Sequence, residues 1–320
     1  MAARSEIIRR IETRLRVREI LASDPRIAAT PVRAPVVVVG LPRTATTLVH
    51  RLLSRATTTR APELWEMLRP MTSPADRRRN LREARWLARL YHWSVPATGN
   101  IHPSTATSPE ECTFLLPQTL MYEMMGPIPG YRRWYAARDV TPDYVYLREQ
   151  LQILQYPDPS PRWVLKSPFH LANLDVLLAT FPDATIVWTS RDPVATFASW
   201  CSLIEANMLM YNKRVDPLAI APTWLPTWSE ALARARSTRG RHPSRFIDVS
   251  HASVNADPVG TTIKLWERLG IAASPESVAR LKAEAAQDGR PNPHGHRYTL
   301  ARYGVTEAEV RAALADPPPR

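Results

Sequence analysis

The most distinct hydrophobic pattern in the chain is a run of four valines at residues 36–39, followed by Gly40. A short apolar run of β-branched residues is typical of a strand that is buried on both faces of a parallel sheet. A loop and then a helical pattern with leucines on one face follow it. Because unpaired backbone N–H groups and the positive end of a helix dipole converge after such a loop, this stretch predicts an anion-binding site.

Three further apolar runs predict strands, at residues 162–166, 185–190 and 246–249. Helical patterns follow them, to about residue 180, over 193–209, and over 257–269 and 275–287. Strands that alternate with helices favour a parallel sheet covered on both faces. We therefore predict a helix-rich α/β fold of the P-loop-like, three-layer α/β/α type, whose strand carboxyl ends share one rim.

The remaining helical patterns lie outside this alternating region. An N-terminal amphipathic helix over about residues 4–22 is expected to pack on the outside of the domain, although its arginines leave a membrane-surface role open. A charged helix is predicted over 74–92, with an inner stripe of Leu81, Trp86, Leu87 and Leu90. Ser108, Pro109 and two carboxylates predict the start of a helix that runs to residue 124, and another is predicted over 142–155.

No internal repeat or long linker divides the chain, so we predict a single domain over residues 1–320. It includes the N-terminal segment 1–30, with apolar positions Ile7, Ile8, Ile11 and Leu15, and a proline-rich tail at 313–320. No run of eighteen apolar residues predicts a membrane span. With only two cysteines and a charged N-terminal segment, neither a disulfide framework nor a secretory signal is indicated, and a cytoplasmic location is expected.

The net charge of +12 raises the question of a nucleic-acid partner. The arginines are spread over the whole chain, and no basic block with interleaved aromatic residues or zinc-ligand spacing is present. We therefore expect no nucleic-acid partner and no metal. A small polyanionic ligand suits an arginine-rich chain, because guanidinium groups bind phosphate through two parallel hydrogen bonds.

The loop after the valine run differs from the nucleotide-triphosphate P-loop, G-x-x-x-x-G-K-[ST]. Ala45 stands where that pattern has its second glycine, Thr46 stands where it has its lysine, and the cation is Arg43. The loop instead resembles the 5′-phosphosulfate loop of cytosolic-type sulfotransferases, P-[KR]-[ST]-G-[ST]-T. The residues that match are Pro42, Arg43, Thr44, Thr46 and Thr47; Ala45 departs from the pattern.

Two further segments extend the resemblance. Arg191 follows the third predicted strand and Ser199 follows it by eight residues, the separation at which sulfotransferases hold the 3′-phosphate of their cofactor. Residues 161–171 resemble the segment that carries the catalytic lysine, here Lys166. The motifs of the chain most resemble those of a bacterial branch of the family, which has L-P-R-T-G-T-T, K-S-P-x-H and R-D-P. This resemblance extends from about residue 5 to residue 312.

The resemblance implies a sulfotransferase that uses 3′-phosphoadenosine 5′-phosphosulfate as its donor. Arg43 and the loop, with Thr44, Ala45, Thr46 and Thr47, would then hold the 5′-phosphate and sulfate, and Arg191 with Ser199 the 3′-phosphate. A loosely matched C-terminal segment would add Gly295, His296 and Arg297. If position 45 needs a positive φ, alanine costs about 1 kcal/mol or more there.

The catalytic base is open at this stage, because Pro168 stands where animal members have their histidine. His170 fits the K-S-P-x-H pattern, Glu110 is the carboxylate alternative, and His102 is a third candidate. Strand-end lysines and isolated histidines are also common as solvated or structural groups, so each role competes with an ordinary one.

The acceptor is expected to be a small molecule with a hydroxyl group, such as a phenol, lipid or natural product. The regions 91–135 and 205–230 are rich in Trp, Tyr, Met and Pro, and they would supply an apolar cleft, although core packing explains such residues equally well. Two alternatives remain: a P-loop-type small-molecule kinase, and a catalytically degenerate nucleotide-binding scaffold.

Overall fold

A five-stranded parallel sheet forms the centre of the molecule. The computed structural model describes residues 2–70, 73–94, 105–159, 161–288 and 299–315. The strands of the sheet are Val36–Gly40 (β1), Thr59–Arg60 (β2), Arg162–Lys166 (β3), Thr185–Ser190 (β4) and Phe246–Ser250 (β5). They lie in the order β2-β3-β1-β4-β5, so the valine strand β1 is central.

Helices cover both faces of this sheet, which confirms the predicted helix-rich, three-layer α/β fold. Val37 and Val39 face a layer built mainly from the helices at residues 141–155, 174–180, 193–211, 220–241 and 307–314, whereas Val36 and Val38 face the helices at 46–53, 258–268 and 275–288. All four valines are fully buried, as expected of a central parallel strand. The helices are α1 (Ala2–Ser23), α2 (Pro25–Ala29), α3 (Thr46–Leu53), α4 (Leu64–Met67), α5 (Pro74–Ser94), α6 (Pro129–Ala137), α7 (Thr141–Gln155), α8 (Leu174–Thr180), α9 (Pro193–Tyr211), α10 (Ile220–Arg241), α11 (His251–Ala256), α12 (Pro258–Arg268), α13 (Pro275–Asp288) and α14 (Glu307–Leu314).

The helix predicted over residues 108–124 is wrong. This segment instead forms two short 3₁₀ helices, Cys112–Leu115 and Leu120–Met124, with an extended break between them. Leu116 has ψ 136° because the following residue, Pro117, disfavours the helical conformation of its neighbour. The Thr119 hydroxyl then accepts the N–H of Met121 and starts the second turn.

Two predicted packing faces also differ from the structure. In α5, Leu81 and Leu87 pack inward with Trp65 and Leu68, but Trp86 and Leu90 of the predicted inner stripe are 60% and 40% exposed. Among the α1 side chains that the structure describes, which begin at Ile7, Val17 and Ile20 are the buried ones, and the four apolar residues noted in the sequence face outward. No described helix combines the length and the apolar character needed to cross a bilayer.

Candidate active site

The site is built on the rim where the carboxyl ends of neighbouring parallel strands meet. The register aligns Gly40 of β1 with Thr189 of β4, and Ser190 of β4 with Ser250 of β5. β3 ends beside β1, with Lys166 aligned with Val38. The loops that follow these strands therefore emerge side by side, as expected for ligand sites in open α/β sheets.

The loop after β1 is held tightly against β4. Gly40 has φ +156°, and a Cβ atom at this position would stand 2.6 Å from the carbonyl oxygen of Thr189, so only glycine fits. The Thr44 hydroxyl donates to the carbonyl of Leu41 at 2.6 Å and lies 2.6 Å from the Thr189 hydroxyl. Thr44 is buried, and these bonds give it a role in fixing the loop.

Two residues of the loop adopt left-handed backbone conformations. Arg43 has φ 71° and Ala45 has φ 69°. Ala45 is the residue immediately before α3, where it takes the place of the loop glycine in the sulfotransferase pattern. The condition stated for position 45 in the sequence is therefore met. The backbone has a positive φ there, and the alanine carries the associated strain.

The start of α3 offers backbone donors to an anion. The first helical bond runs from the N–H of Val49 to the carbonyl of Ala45 at 3.0 Å, so the N–H groups of the preceding turn lie outside the helical bonding pattern. No side chain caps this end. The hydroxyl-bearing residues Thr46 and Thr47 occupy this first turn, and the helix dipole adds positive potential there.

The structure brings together the loop arginine and the distant arginine–serine pair. The Nε–H of Arg43 donates to the Ser199 hydroxyl at 3.1 Å, and the guanidinium of Arg191 donates to the carbonyl of Arg43 at 3.1 Å. Asp192, the residue after Arg191, caps α9 by accepting the N–H of Ala195 at 2.8 Å, and it forms an ion pair with Arg311 at 2.9 Å.

His251, which the sequence patterns did not single out, is a neighbouring residue of this cluster. It is the first residue of α11, directly after β5, and the pairing of Ser190 with Ser250 brings it beside Arg191. Burial lowers the pKa of its imidazole, and the positive charges of Arg191 and Arg43 lower the pKa further. The sequence carries a signal for it, since His251 lies two residues after the strand predicted at 246–249 and residues that follow parallel strands lie on the same rim.

Lys166 lies on the other side of the loop and is fully buried, so it is not a solvated strand-end lysine. Its ammonium forms an ion pair with the Glu111 carboxylate at 2.6 Å and donates to the Thr47 hydroxyl at 3.4 Å. A buried ammonium requires such a partner, because an unpaired charge in the interior is very costly. The sequence patterns pointed to the adjacent Glu110 as the carboxylate candidate and did not single out Glu111.

His170 lies in the core rather than on the rim. Its Nε2 lies 3.0 Å from the Cys112 sulfur and its Nδ1 lies 2.9 Å from the Tyr144 hydroxyl, and the residue has no exposed surface. Burial lowers the pKa of its imidazole to about 3. With both ring nitrogens engaged and no exposure, His170 has no access to an acceptor hydroxyl, which argues against the role as base.

Glu110 is also buried, at 4% exposure, and one of its carboxylate oxygens accepts the N–H of Glu111 at 2.9 Å. The Glu111 side chain retains 21% exposure while it contacts Lys166. Of the two adjacent carboxylates, Glu111 is therefore the one that both reaches the lysine and retains access to solvent. His102, Gly295, His296 and Arg297 lie outside the described residues.

The aromatic residues expected to line an acceptor cleft are divided between core and surface. Trp224 and Trp228 lie in the core with Trp200 and Phe169. Trp93 is 81% exposed on α5. Trp224 and Trp228 therefore pack in the core, which was the alternative to a role in lining an acceptor cleft.

The donor set on the rim suits an anionic ligand with two charged groups. A helix N-terminus with two threonines faces one side of the loop, and two guanidinium groups with a hydroxyl lie at the other. Within the described ranges, no group of three or more His, Cys, Asp or Glu residues could hold a metal ion.

Comparison with known proteins identifies the family. The sequence profile of the sulfotransferase family matches residues 35–275, which include β1, β3, β4, β5 and all the rim residues described above. The chain therefore belongs to the sulfotransferase family, as the motifs indicated.

Three of the proteins that this chain is similar to are mycobacterial sulfotransferases. The omega-hydroxy-beta-dihydromenaquinone-9 sulfotransferase Stf3 of Mycobacterium tuberculosis is 22% identical over 306 residues, covering 91% of this chain and 74% of the relative. The crystal structure of sulfotransferase STF1 from Mycobacterium tuberculosis H37Rv has a TM-score of 0.80 and 29% identity, covering 98% of this chain and 85% of that chain. Sulfotransferase STF9 from Mycobacterium avium shares the fold, with a TM-score of 0.85 at 24% identity, covering 97% and 82%.

Proposed function

We propose that this chain transfers a sulfuryl group from 3′-phosphoadenosine 5′-phosphosulfate to a hydroxyl group of an apolar small-molecule acceptor. The observation that carries the proposal is the contact of Arg43 with both Arg191 and Ser199, beside the helix N-terminus of α3. Because one rim thus presents two adjacent anion-binding regions, a nucleotide with phosphates at both ends of its ribose matches the donors.

In this assignment the first turn of α3, with Thr46 and Thr47, binds the 5′-phosphosulfate. Arg191 and Ser199 bind the 3′-phosphate, with His251 beside them. Arg43 belongs to the loop but reaches Ser199, so it borders both regions. When bound, the donor supplies an activated sulfuryl group and a bisphosphate leaving group.

Lys166 and Glu111 are proposed to act on the reacting groups. The Lys166 ammonium lies 3.4 Å from the Thr47 hydroxyl, at the proposed 5′ region, where it would neutralise charge that develops on the leaving oxygen. Glu111, held by Lys166 and partly exposed, would accept the proton of the acceptor hydroxyl. As the acceptor oxygen bonds to the sulfur and the bond between the sulfur and the bisphosphate breaks, Glu111 would take the acceptor proton and Lys166 would stabilise the leaving bisphosphate.

The name of one relative supports the proposed class of acceptor. The mycobacterial relative Stf3 is, by its name, a sulfotransferase of a hydroxylated menaquinone, which is a lipid alcohol. A lipid or other apolar hydroxyl compound is therefore the first class to assay. We further propose that the chain acts without a bound metal and as a single sulfotransferase domain.

The test is to compare binding of adenosine 3′,5′-bisphosphate with binding of adenosine 5′-monophosphate. Arg191→Gln should lower the affinity for the bisphosphate about 10- to 100-fold, the value of a lost charge-assisted bond, and should leave that for the monophosphate unchanged. Arg43→Gln should lower both. Equal affinities of the unaltered protein for both ligands would refute the 3′-phosphate assignment, and binding of ATP with Mg²⁺ alone would favour a kinase.

Turnover is then measured with labelled donor and a panel of hydroxylated quinones, phenols and sterols. Glu111→Gln should retain bisphosphate binding and lose turnover, because the neutral amide cannot accept the acceptor proton. The variant also removes the ion-pair partner of the buried Lys166, so it should be less stable than the unaltered protein. Glu110→Gln is the matched control, because that carboxylate is buried and the change should affect stability rather than the chemical step. If Glu110→Gln abolished turnover and Glu111→Gln did not, the roles assigned to the two carboxylates would be wrong. Bisphosphate binding without transfer to any acceptor would favour the degenerate scaffold.

A further inference from the structure

The N-terminal helix α1 turns an apolar stripe toward solvent. The helix packs on the domain through Val17 and Ile20, which are 0% and 3% exposed. The residues on its opposite side are Ile7, Ile8, Ile11 and Leu15, which are 60%, 44%, 54% and 61% exposed. Their spacing of one, four and eight residues gives a continuous stripe along a helix.

Helix α5 has a second stripe of the same kind. Its inner face carries Asn80 and Ala84, which are fully buried. On the outer face, Trp86, Leu90 and Trp93 follow at intervals of four and three residues and are 60%, 40% and 81% exposed. Two tryptophans on the solvent side of one helix are unusual, since this side chain is normally well buried.

The exposed stripe on α5 is surrounded by positive charge. Over residues 74–94 the sequence has six arginines and two carboxylates, a net charge of +4. Several of these arginines form no ion pair with a carboxylate anywhere in the described ranges, namely Arg78, Arg82, Arg85 and Arg89. On α1, Arg14 and Arg18 are also exposed beside the apolar stripe.

The two helices are neighbours through α4 and the residue after it. The Arg9 guanidinium on α1 donates to the carbonyl of Leu68 at 2.8 Å. Leu68 in turn packs with Ala84 of α5 in one apolar cluster. We call the two stripes together, with the exposed arginines beside them, the outer helical surface.

We propose that the outer helical surface binds an anionic phospholipid bilayer, with its apolar side chains in the headgroup region. A helix with arginines beside exposed Trp, Ile and Leu residues is suited to this environment, because tryptophan prefers the membrane interface and arginine is attracted to anionic lipids. The bilayer supplies the negative charge and the apolar layer that this surface complements.

Other occupants fit this surface less well. Pairing with a second copy of the chain through the same face would place two sets of unpaired arginines against each other. Nucleic acid would satisfy the arginines but would leave the isoleucine and tryptophan side chains without an apolar partner.

This surface is connected to the proposed acceptor side of the active site. The backbone N–H of Trp65 in α4 donates to the carbonyl of Ala106 at 3.1 Å, and Glu63 pairs with Pro109 in an antiparallel bridge. The same segment continues to Glu111, the partner of Lys166. If the acceptor is a membrane lipid, as the proposed function suggests, binding here brings the enzyme to its substrate; vesicle binding itself does not depend on that function.

The experiment is co-sedimentation of the full chain with vesicles of phosphatidylcholine and phosphatidylglycerol in a two-to-one ratio, and with vesicles of phosphatidylcholine alone. We expect binding to the anionic vesicles and little to the neutral ones. The double variant Arg82→Gln/Arg89→Gln should weaken binding about 30-fold, because each arginine near an anionic surface contributes a factor of about 5.5 to the affinity and the two factors multiply. Lys264→Gln/Arg268→Gln, a pair of exposed cations on α12, is the control that removes the same charge elsewhere.

A second pair of variants tests the apolar contribution. Trp86→Ser/Trp93→Ser should weaken vesicle binding at least about tenfold, whereas Trp86→Phe/Trp93→Phe should retain binding. All variants are checked by thermal unfolding and by titration with adenosine 3′,5′-bisphosphate, which should be unchanged.

Three results would overturn the proposal. The first is equal loss in the α12 control, which would indicate a non-specific charge effect. The second is failure of the unaltered chain to bind anionic vesicles. The third is concentration-dependent dimerisation or duplex-DNA binding that depends on the tryptophans while vesicle binding does not. Loss of turnover with intact vesicle binding would instead concern the proposed function alone.

Discussion

Replacing Ala45 with glycine should stabilise the protein, although alanine-to-glycine changes usually do the opposite. Ala45 has φ 69° and ψ 20°, a left-handed conformation that the neighbouring bonds of the loop and the start of α3 impose. An L-residue with a Cβ atom pays about 1–2 kcal/mol for this conformation, whereas glycine does not.

The net gain is smaller than the strain, because glycine also raises the entropy of the unfolded chain, worth about 0.4–1 kcal/mol. We therefore expect Ala45→Gly to raise the free energy of unfolding by about 1 kcal/mol, which corresponds to roughly 2 °C in Tm for a chain of this size. The hydrogen bond from Val49 to the carbonyl of residue 45 involves only the backbone and is retained.

Ala233→Gly is the matched control. Ala233 is an exposed residue inside α10, where glycine has no conformational advantage and costs about 1 kcal/mol. The two substitutions delete the same methyl group and should shift the unfolding midpoint in urea in opposite directions. Adenosine 3′,5′-bisphosphate binding should persist in Ala45→Gly, because the loop donors at α3 are backbone N–H groups. If both variants lost stability equally, the strain assigned to position 45 would be wrong.

Two further predictions concern histidines. Burial and the charges of Arg191 and Arg43 hold the pKa of His251 below its usual 6.5, whereas a bound phosphate favours the protonated ring. The affinity for adenosine 3′,5′-bisphosphate, measured by calorimetry, should therefore increase as the pH falls below about 6.5. A His251→Gln variant with the same pH profile as the unaltered protein would contradict this contact. Burial lowers the pKa of His50 and His170 to about 3, so the folded state keeps both rings neutral. Because only the unfolded chain can protonate these rings near their usual pKa of 6.5, the free energy of unfolding should be unaffected by them above pH 6.5 and should fall progressively between pH 6.5 and about 3. Urea unfolding midpoints across that range measure the effect. An unchanged midpoint down to pH 4 would show that the rings are not buried as described.

The sequence predicted much of the fold because its strongest patterns are local. The valine run, the strand–helix alternation and the proline-started helices at residues 141–155 and 193–211 all correspond to the structure. The two-residue strand β2 was not predicted, since such a short strand has no pattern and exists only through pairing with β3. The failed helix over 108–124 shows the limit of capping signals, because Pro117 and tertiary contacts overrode them.

For the candidate site, residue order predicted the loop, Lys166, Arg191 and Ser199 as parts of one rim, since parallel strands place their carboxyl ends together. Sequence alone did not separate Glu110 from Glu111, because two adjacent carboxylates outside regular structure carry no periodicity that tells which side chain points inward.

Which faces are buried was decided by the tertiary structure alone. Helical periodicity located the apolar stripe of α1, and Trp86 and Leu90 of the stripe on α5, but it cannot state whether a stripe faces the core or solvent. The same holds for His170, whose sequence pattern suggested a base and whose surroundings are Cys112 and Tyr144. Sequence pattern thus determined the elements and their order, whereas burial and partners arose from contacts between residues distant in the chain, which no local pattern encodes.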